Sequence, residues 1–139
     1  MSLERFCRKP VITMSSNQSV QEAAMKMHDQ HVGAVLIVDE QRPVGIVTDR
    51  DIVLRVVVEG RDPRNTPVRD IMSRNLAVVR SGDKIDDAVS AIRTAGVRRV
   101  PIVDDEGKPI GMVTMDDLVV LMAGELSAAA GAVRENRGP

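Results

Sequence analysis

The sequence repeats itself, and a duplication limits the folds open to it more than any other feature does. Laid over residues 76–118, with one extra residue allowed at the second copy's turn, residues 11–52 match in register. Val32 aligns with Val97, Val35 with Val100, Ile37, Val38 and Asp39 with Ile102, Val103 and Asp104, and Pro43 with Pro109. The match is densest where Gly45-Ile46-Val47-Thr48-Asp49-Arg50-Asp51 meets Gly111-Met112-Val113-Thr114-Met115-Asp116-Asp117, which share Gly, Val, Thr and Asp at the same spacing. With 139 residues the chain has room for one domain of ordinary size, so the two copies are expected to form one compact unit without help from metals or disulfides.

Apolar spacing gives each copy its elements. Val20, Ala23, Ala24 and Met27 follow a helical period, and Ile85, Ala88, Val89 and Ile92 repeat it. A short apolar run precedes each helix, at residues 11–14 and 76–79, and reads as a strand. After the helix, residues 34–38 and 44–47, joined by a polar turn at 39–43, read as a hairpin that residues 100–103 and 110–113 copy. A last helix is expected to begin near Asp49 and near Met115, giving β-α-β-β-α in each copy. The Val-rich residues 52–58 have poor helix propensity. The better helix formers at 118–123 occupy the same place and argue for a helix in both. The expected organisation is repeat 1 over residues 3–60, a linker at 61–67, repeat 2 over 68–125 and a weakly specified, Ala-rich tail at 126–139.

Composition removes several function classes. Nineteen basic against 20 acidic residues give a net charge of -1, so no global field holds a nucleic-acid backbone or an anionic membrane. Phe6 is the sole aromatic residue, which removes the stacking platforms of single-strand binders. Cys7 is the sole cysteine, excluding an internal disulfide and fitting a reducing compartment; it is expected in the lead-in strand without a catalytic role. No signal-peptide pattern and no apolar stretch of about 20 residues is present, so a soluble, cytoplasmic protein is expected.

The repeated motif resembles the hallmark of the CBS (cystathionine-β-synthase) domain, a hydrophobic strand ending in Gly-h-h-Thr/Ser-x-x-Asp, with h apolar, followed by a helix. Both copies carry it, and Asp70-Ile71-Met72-Ser73 resembles the lead-in to a second such domain. The resemblance covers residues 3–125 and is similar to small bacterial proteins made of one CBS pair, with no enzyme or transporter domain expected. It implies an α+β (mixed α/β) fold in which two β-α-β-β-α repeats pack by pseudo-twofold symmetry through their sheets, a Bateman-type module. It further implies adenosine-containing ligands, such as AMP, ADP, ATP, NADH or S-adenosylmethionine, in crossed clefts. Site A would combine Thr48 and Asp51 with Ala77, Val97, Arg98 and Arg99, with Arg50 as an additional contact. Site B would combine Thr114 and Asp117 with Ile12, Val32 and Gly33.

The residue chemistry carries two readings. An ionised carboxylate accepts hydrogen bonds from both ribose hydroxyls, which suits Asp51 and Asp117, and Thr48 and Thr114 stand where a helix N-terminus favours a phosphate. Thr-x-x-Asp is also a capping box, in which the Thr caps the helix and the acid folds back on the cap's backbone. Duplication at the end of a Gly-led strand favours ribose binding, and the two roles are compatible. Arg98 and Arg99 interrupt an apolar approach where the first copy has Gly33 and Ala34; the resemblance, in which family members often place basic residues here against phosphates, implies that site A takes the phosphorylated ligand. Strand alternation is expected to turn one of them to the cleft and the other to solvent. His28 and His31 share a helical face, but a solvated face is favoured over a metal site. The Met residues read as core filler. No nucleophile, acid-base pair or metal set suggests catalysis. The expected partners are an adenine nucleotide and a second copy of the chain, since the last helix of each copy is apolar nearly all round; a regulated partner protein stays open. The competing reading is a ligand-free scaffold that dimerises and binds a partner protein.

Overall fold

A computed structural model describes residues 3–6 and 10–135; Cys7 lies outside the described residues. Each copy contributes a three-stranded sheet. In the first, β1 (Thr13–Met14) runs parallel to β2 (Ala34–Asp39), which pairs antiparallel with β3 (Arg42–Thr48). In the second, β4 (Val79–Arg80), β5 (Arg99–Val103) and β6 (Pro109–Thr114) repeat that order and those directions. Both hairpins shift register at equivalent points, between Ile37 and Val38 and between Ile102 and Val103. A bulge conserved through the duplication marks a bend that the unit needs.

Helix α1 (Val20–Gln30) begins at Ser19, whose hydroxyl accepts the Glu22 N–H at 3.2 Å. It buries Val20, Ala23 and Met27 but leaves Ala24 exposed. In α3 (Ile85–Ala95) the buried residues are Ile85, Ala88 and Ile92. The first strands are shorter than the apolar runs at 11–14 and 76–79. The hairpins run slightly longer, because Glu40 and Gln41 both take the left-handed conformation and close the first turn in two residues. A longer loop with Gly107 at φ 85° closes the second, which accounts for its extra residue. Ser16 hydrogen bonds hold the Asp39 carboxyl below its ordinary range, through the hydroxyl first and the backbone N–H second, tying the entry of α1 to the end of β2.

The last helices differ between copies. After Thr48, α2 (Asp49–Ile52) widens into a π-helical stretch at Val53–Val57, where Val58 N–H reaches the Val53 carbonyl at 3.0 Å. The β-branched run is thus helical, as the repeat argues. In the second copy α4 (Met115–Glu135) is one unbroken helix through the Ala-rich stretch. The expectation of a weakly specified tail there is corrected: Ala is the strongest helix former, and Gly124 and Gly131 alone do not stop the helix. Among the described residues, no helix is long and apolar enough to cross a membrane.

The two cores exchange their lead-in segments. Val68, Ile71 and Met72, from the start of the second copy, complete the core formed by Met14, Val20, Val35, Ile37 and Val47. Leu3, from the start of the first, is fully buried among Val79, Ile85, Val100, Ile102 and Leu118. Backbone bonds fix the exchange: Leu3 N–H to Asp83 O at 3.1 Å, Val68 N–H to Gln18 O at 2.8 Å and Val20 N–H to Thr66 O at 2.9 Å. Burying each such aliphatic side chain contributes about 1.5–3 kcal/mol, so each lead-in stabilises the other copy's core.

Candidate functional site

The exchange explains the glycine of the repeated motif. On β3, the segment ending at Ser73 crosses so closely that a Cβ on Gly45 would stand 2.5 Å from Met72 Sδ and 3.1 Å from the Ser73 carbonyl. Ile46 and Ser73 exchange backbone hydrogen bonds at 3.1 and 2.9 Å just beyond. On β6, a Cβ on Gly111 would collide with the Phe6 carbonyl. At Gly111 a passing backbone leaves no room for a side chain, and at Gly45 a Cβ would have to displace Met72 and press on the Ser73 carbonyl.

That crossing brings the Thr-x-x-Asp end of one copy against the first strand of the other. Cleft A, of about 260 Å³, is lined by Thr48, Arg50 and Asp51 from the first copy and by Ala77, Val97, Arg98 and Arg99 from the second. All the residues expected at site A meet there. Ile46, Ser73, Asn75 and Leu76 complete the wall. Ile46 was legible in principle, since it lies two residues before Thr48 on the same strand face. Leu76 and Asn75 continue the approach to Ala77, but nothing in their residue types announces a wall.

Within cleft A, Thr48 and Asp51 form a complete capping box: the Thr48 N–H donates to Asp51 Oδ2 at 2.9 Å, and the Asp51 N–H donates to Thr48 Oγ1 at 3.1 Å. Arg55 stands 3.7 Å from Asp51 Oδ1 and donates to the Ile71 carbonyl at 2.6 Å, so it ties the carboxylate to the exchanged lead-in. The capping role is therefore filled within the chain itself. A second role at the same carboxylate is possible because each oxygen accepts more than one hydrogen bond.

The arginines depart from simple alternation. Arg98 and Arg99 both line cleft A, because Arg98 lies in the bend before β5 and only Arg99 is in the strand. Arg98 is exposed and stands 3.7 Å from Asp116, an ion pair worth little in water. Arg99 is half-buried, and among the described residues its guanidinium has no hydrogen-bond or ion-pair partner. Arg50 is exposed at the rim.

Cleft B, of about 210 Å³, gathers Ile12, Val32, Gly33 and Thr114, with Pro10, Val11, Ala34, Met112 and Arg99. Asp117 is not among its walls. It closes a capping box with Thr114, both bonds at 3.1 Å, and faces a separate hollow lined by Arg5, Phe6, Val120 and Leu121. The expectation that Asp117 looks into cleft B is corrected on this point: the N-terminal turn Leu3–Phe6, lying on β6 and α4, supplies the wall it faces. The positions equivalent to Arg98 and Arg50 are Gly33 and Asp116, so cleft B is poorer in positive charge than cleft A. His28 is exposed against Asp29, and His31 caps α1 in the left-handed conformation. Among the described residues, no three His, Cys, Asp or Glu side chains come together as a metal site.

Comparison with known proteins gives the family of the chain. The CBS domain profile matches residues 3–58 and again 68–124. The chain is 38% identical over 120 residues to the CBS domain-containing protein YhcV of Bacillus subtilis, covering 86% of this chain and 84% of that one. It is 42% identical to the uncharacterized protein MK0525 of Methanopyrus kandleri, covering 86% of this chain but 61% of that longer protein. Among solved structures, the CBS domain pair of protein MJ0100, in complex with 5′-methylthioadenosine and S-adenosyl-L-methionine, is similar with a TM-score of 0.77 at 28% identity, covering 90% of this chain and 98% of that one.

Proposed function

This chain belongs to the CBS domain family as a tandem pair, and we propose that it is a regulatory or sensor module that binds an adenosine-containing nucleotide in cleft A. The observation that carries this reading is the convergence, across two copies, of a carboxylate, a threonine at a helix N-terminus and three arginines on one cleft. Asp51 accepts the ribose hydroxyls, Thr48 and the start of α2 lie toward the phosphate, and Arg98, Arg99 and Arg50 neutralise it. Ala77, Val97, Leu76 and Ile46 supply the apolar walls for the base. The likeness to the MJ0100 pair supports adenosyl ligands as a class. AMP or ATP is favoured, because three arginines suit phosphates better than a sulfonium.

Cleft B, with Gly33 and Asp116 at the positions equivalent to Arg98 and Arg50, is the weaker phosphate site, with Thr114 and Arg99 on its wall. The exposed apolar faces of α2 with its π-helical extension and of α4, including Val57, Val58, Val120 and Leu126, support a homodimer built on these helices, since a twofold partner covers both at once. Mass spectrometry of small molecules released by denaturing the purified protein tests the reading. An adenosine compound near stoichiometric amount supports it; protein that releases none and shows no thermal shift with AMP, ATP, NADH or S-adenosylmethionine favours a ligand-free scaffold.

A further inference from the structure

Arg99 lines both clefts: it stands on the wall of cleft A beside Val97 and on that of cleft B beside Thr114, its partner across the hairpin. It opens β5, so its backbone is fixed by the ladder, and its half-buried guanidinium has no hydrogen-bond or ion-pair partner among the described residues. The duplication gives it no counterpart, because the equivalent position in the first copy is Ala34. Two clefts therefore share one arginine.

We infer that Arg99 couples the two clefts negatively, serving the phosphate of whichever phosphorylated ligand arrives first and so weakening phosphate binding at the other. This rests on the nucleotide reading above and adds to it a regulation of the paired sites. The guanidinium donates in a planar fork that matches one phosphate, and an unpaired guanidinium has no competing internal partner to leave. A second anion meets a cleft from which the shared cation has turned away, and it meets the charge of the first ligand as well. By linkage the effect is reciprocal: either ligand weakens the other by the same factor. Adenosine, lacking a phosphate, does not draw on Arg99 and is not coupled. Arg98 cannot play this part, because it lines cleft A alone and stands beside Asp116.

The test follows each cleft separately, by the amide resonances of Ala77 for cleft A and Gly33 for cleft B, as AMP and then adenosine are titrated into the full chain. In the wild type, AMP in one cleft lowers AMP affinity in the other by about 5-fold or more, while adenosine fills the two independently. In Arg99→Ala the AMP coupling falls toward 1, and Arg99→Gln, which keeps the stem on the strand, gives the same result if the charge and not the packing is responsible. Independent filling by AMP in the wild type, coupling that persists in both variants, or a second cleft that stays closed to AMP in all three proteins overturns the inference while the nucleotide reading stands. Amides that respond to neither ligand in either cleft remove that reading and the inference with it.

Discussion

The Asp51 carboxylate accepts the Thr48 backbone N–H at 2.9 Å while the Thr48 hydroxyl accepts the Asp51 N–H at 3.1 Å, so the pair that faces cleft A is also the pair that starts α2. The repeated Thr-x-x-Asp is therefore a structural cap in both copies, and in the first the same short segment holds both groups at the cleft wall. A rigid carboxylate loses little freedom on accepting a ribose.

Removing the cap should be visible without ligand. Asp51→Ala is expected to destabilise the ligand-free chain by about 0.5–2 kcal/mol, with Thr48→Ala similar and the double substitution less than additive because the two share one box. Denaturant titration measures this; additive losses would show that the two side chains act separately.

Phosphate recognition should be separable from base and ribose recognition. Arg98→Ala combined with Arg99→Ala is expected to weaken AMP and ATP by about 1.5–3 kcal/mol and adenosine much less. Equal losses for all three ligands in calorimetry would mean that the arginines shape the cleft without touching phosphate.

Gly45→Ala should cost about 1–3 kcal/mol through overpacking, because its Cβ would meet Met72 and the Ser73 backbone. Gly82, with nothing within 4 Å of a Cβ, is the matched control, and Gly82→Ala is expected to change stability by no more than about 0.5 kcal/mol. A neutral Gly45→Ala, read by thermal melting, would mean that the exchanged lead-in can move away from β3.

Assembly is open to a direct measurement. The full chain is expected to be a dimer at micromolar concentration in light scattering, and Val57→Lys with Val120→Lys, both at exposed apolar positions, should return it to a monomer with an unchanged fold. A chain ending at Glu125 should still dimerise. In this structure residues 126–135 continue α4 outward, almost all of them exposed, and do not fold back over the apolar faces. A full-length monomer would refute the dimer.

The duplication made most of this architecture legible, because an alignment of the chain with itself carries information that propensity does not. It settled residues 52–58 as helix against their β-branched composition. The meeting of Thr48, Asp51, Ala77, Val97, Arg98 and Arg99 at one cleft came from the resemblance to CBS domains, since spacing alone does not place one copy against the other. The π-helical widening at Val53–Val57 was not legible, since it depends on how that run packs. The exchange of lead-ins was not legible either: Leu3 and Val68 read as local apolar residues, and nothing in one sequence says which core takes them. Asp117 shares its hollow with Arg5 and Phe6 of the exchanged N-terminal turn, a tertiary contact that spacing does not encode.

Whether cleft A binds an adenosine ligand through Asp51 is read by calorimetric titration of the wild type and Asp51→Ala with AMP, alongside melts of both proteins without AMP. Saturable binding by the wild type is expected, with a loss of about 10- to 100-fold in the variant, the worth of charged hydrogen bonds to the ribose, beyond any change in the melting point. Affinity that is unchanged in Asp51→Ala, with only the melting point lowered, would contradict it and leave Asp51 as a cap alone.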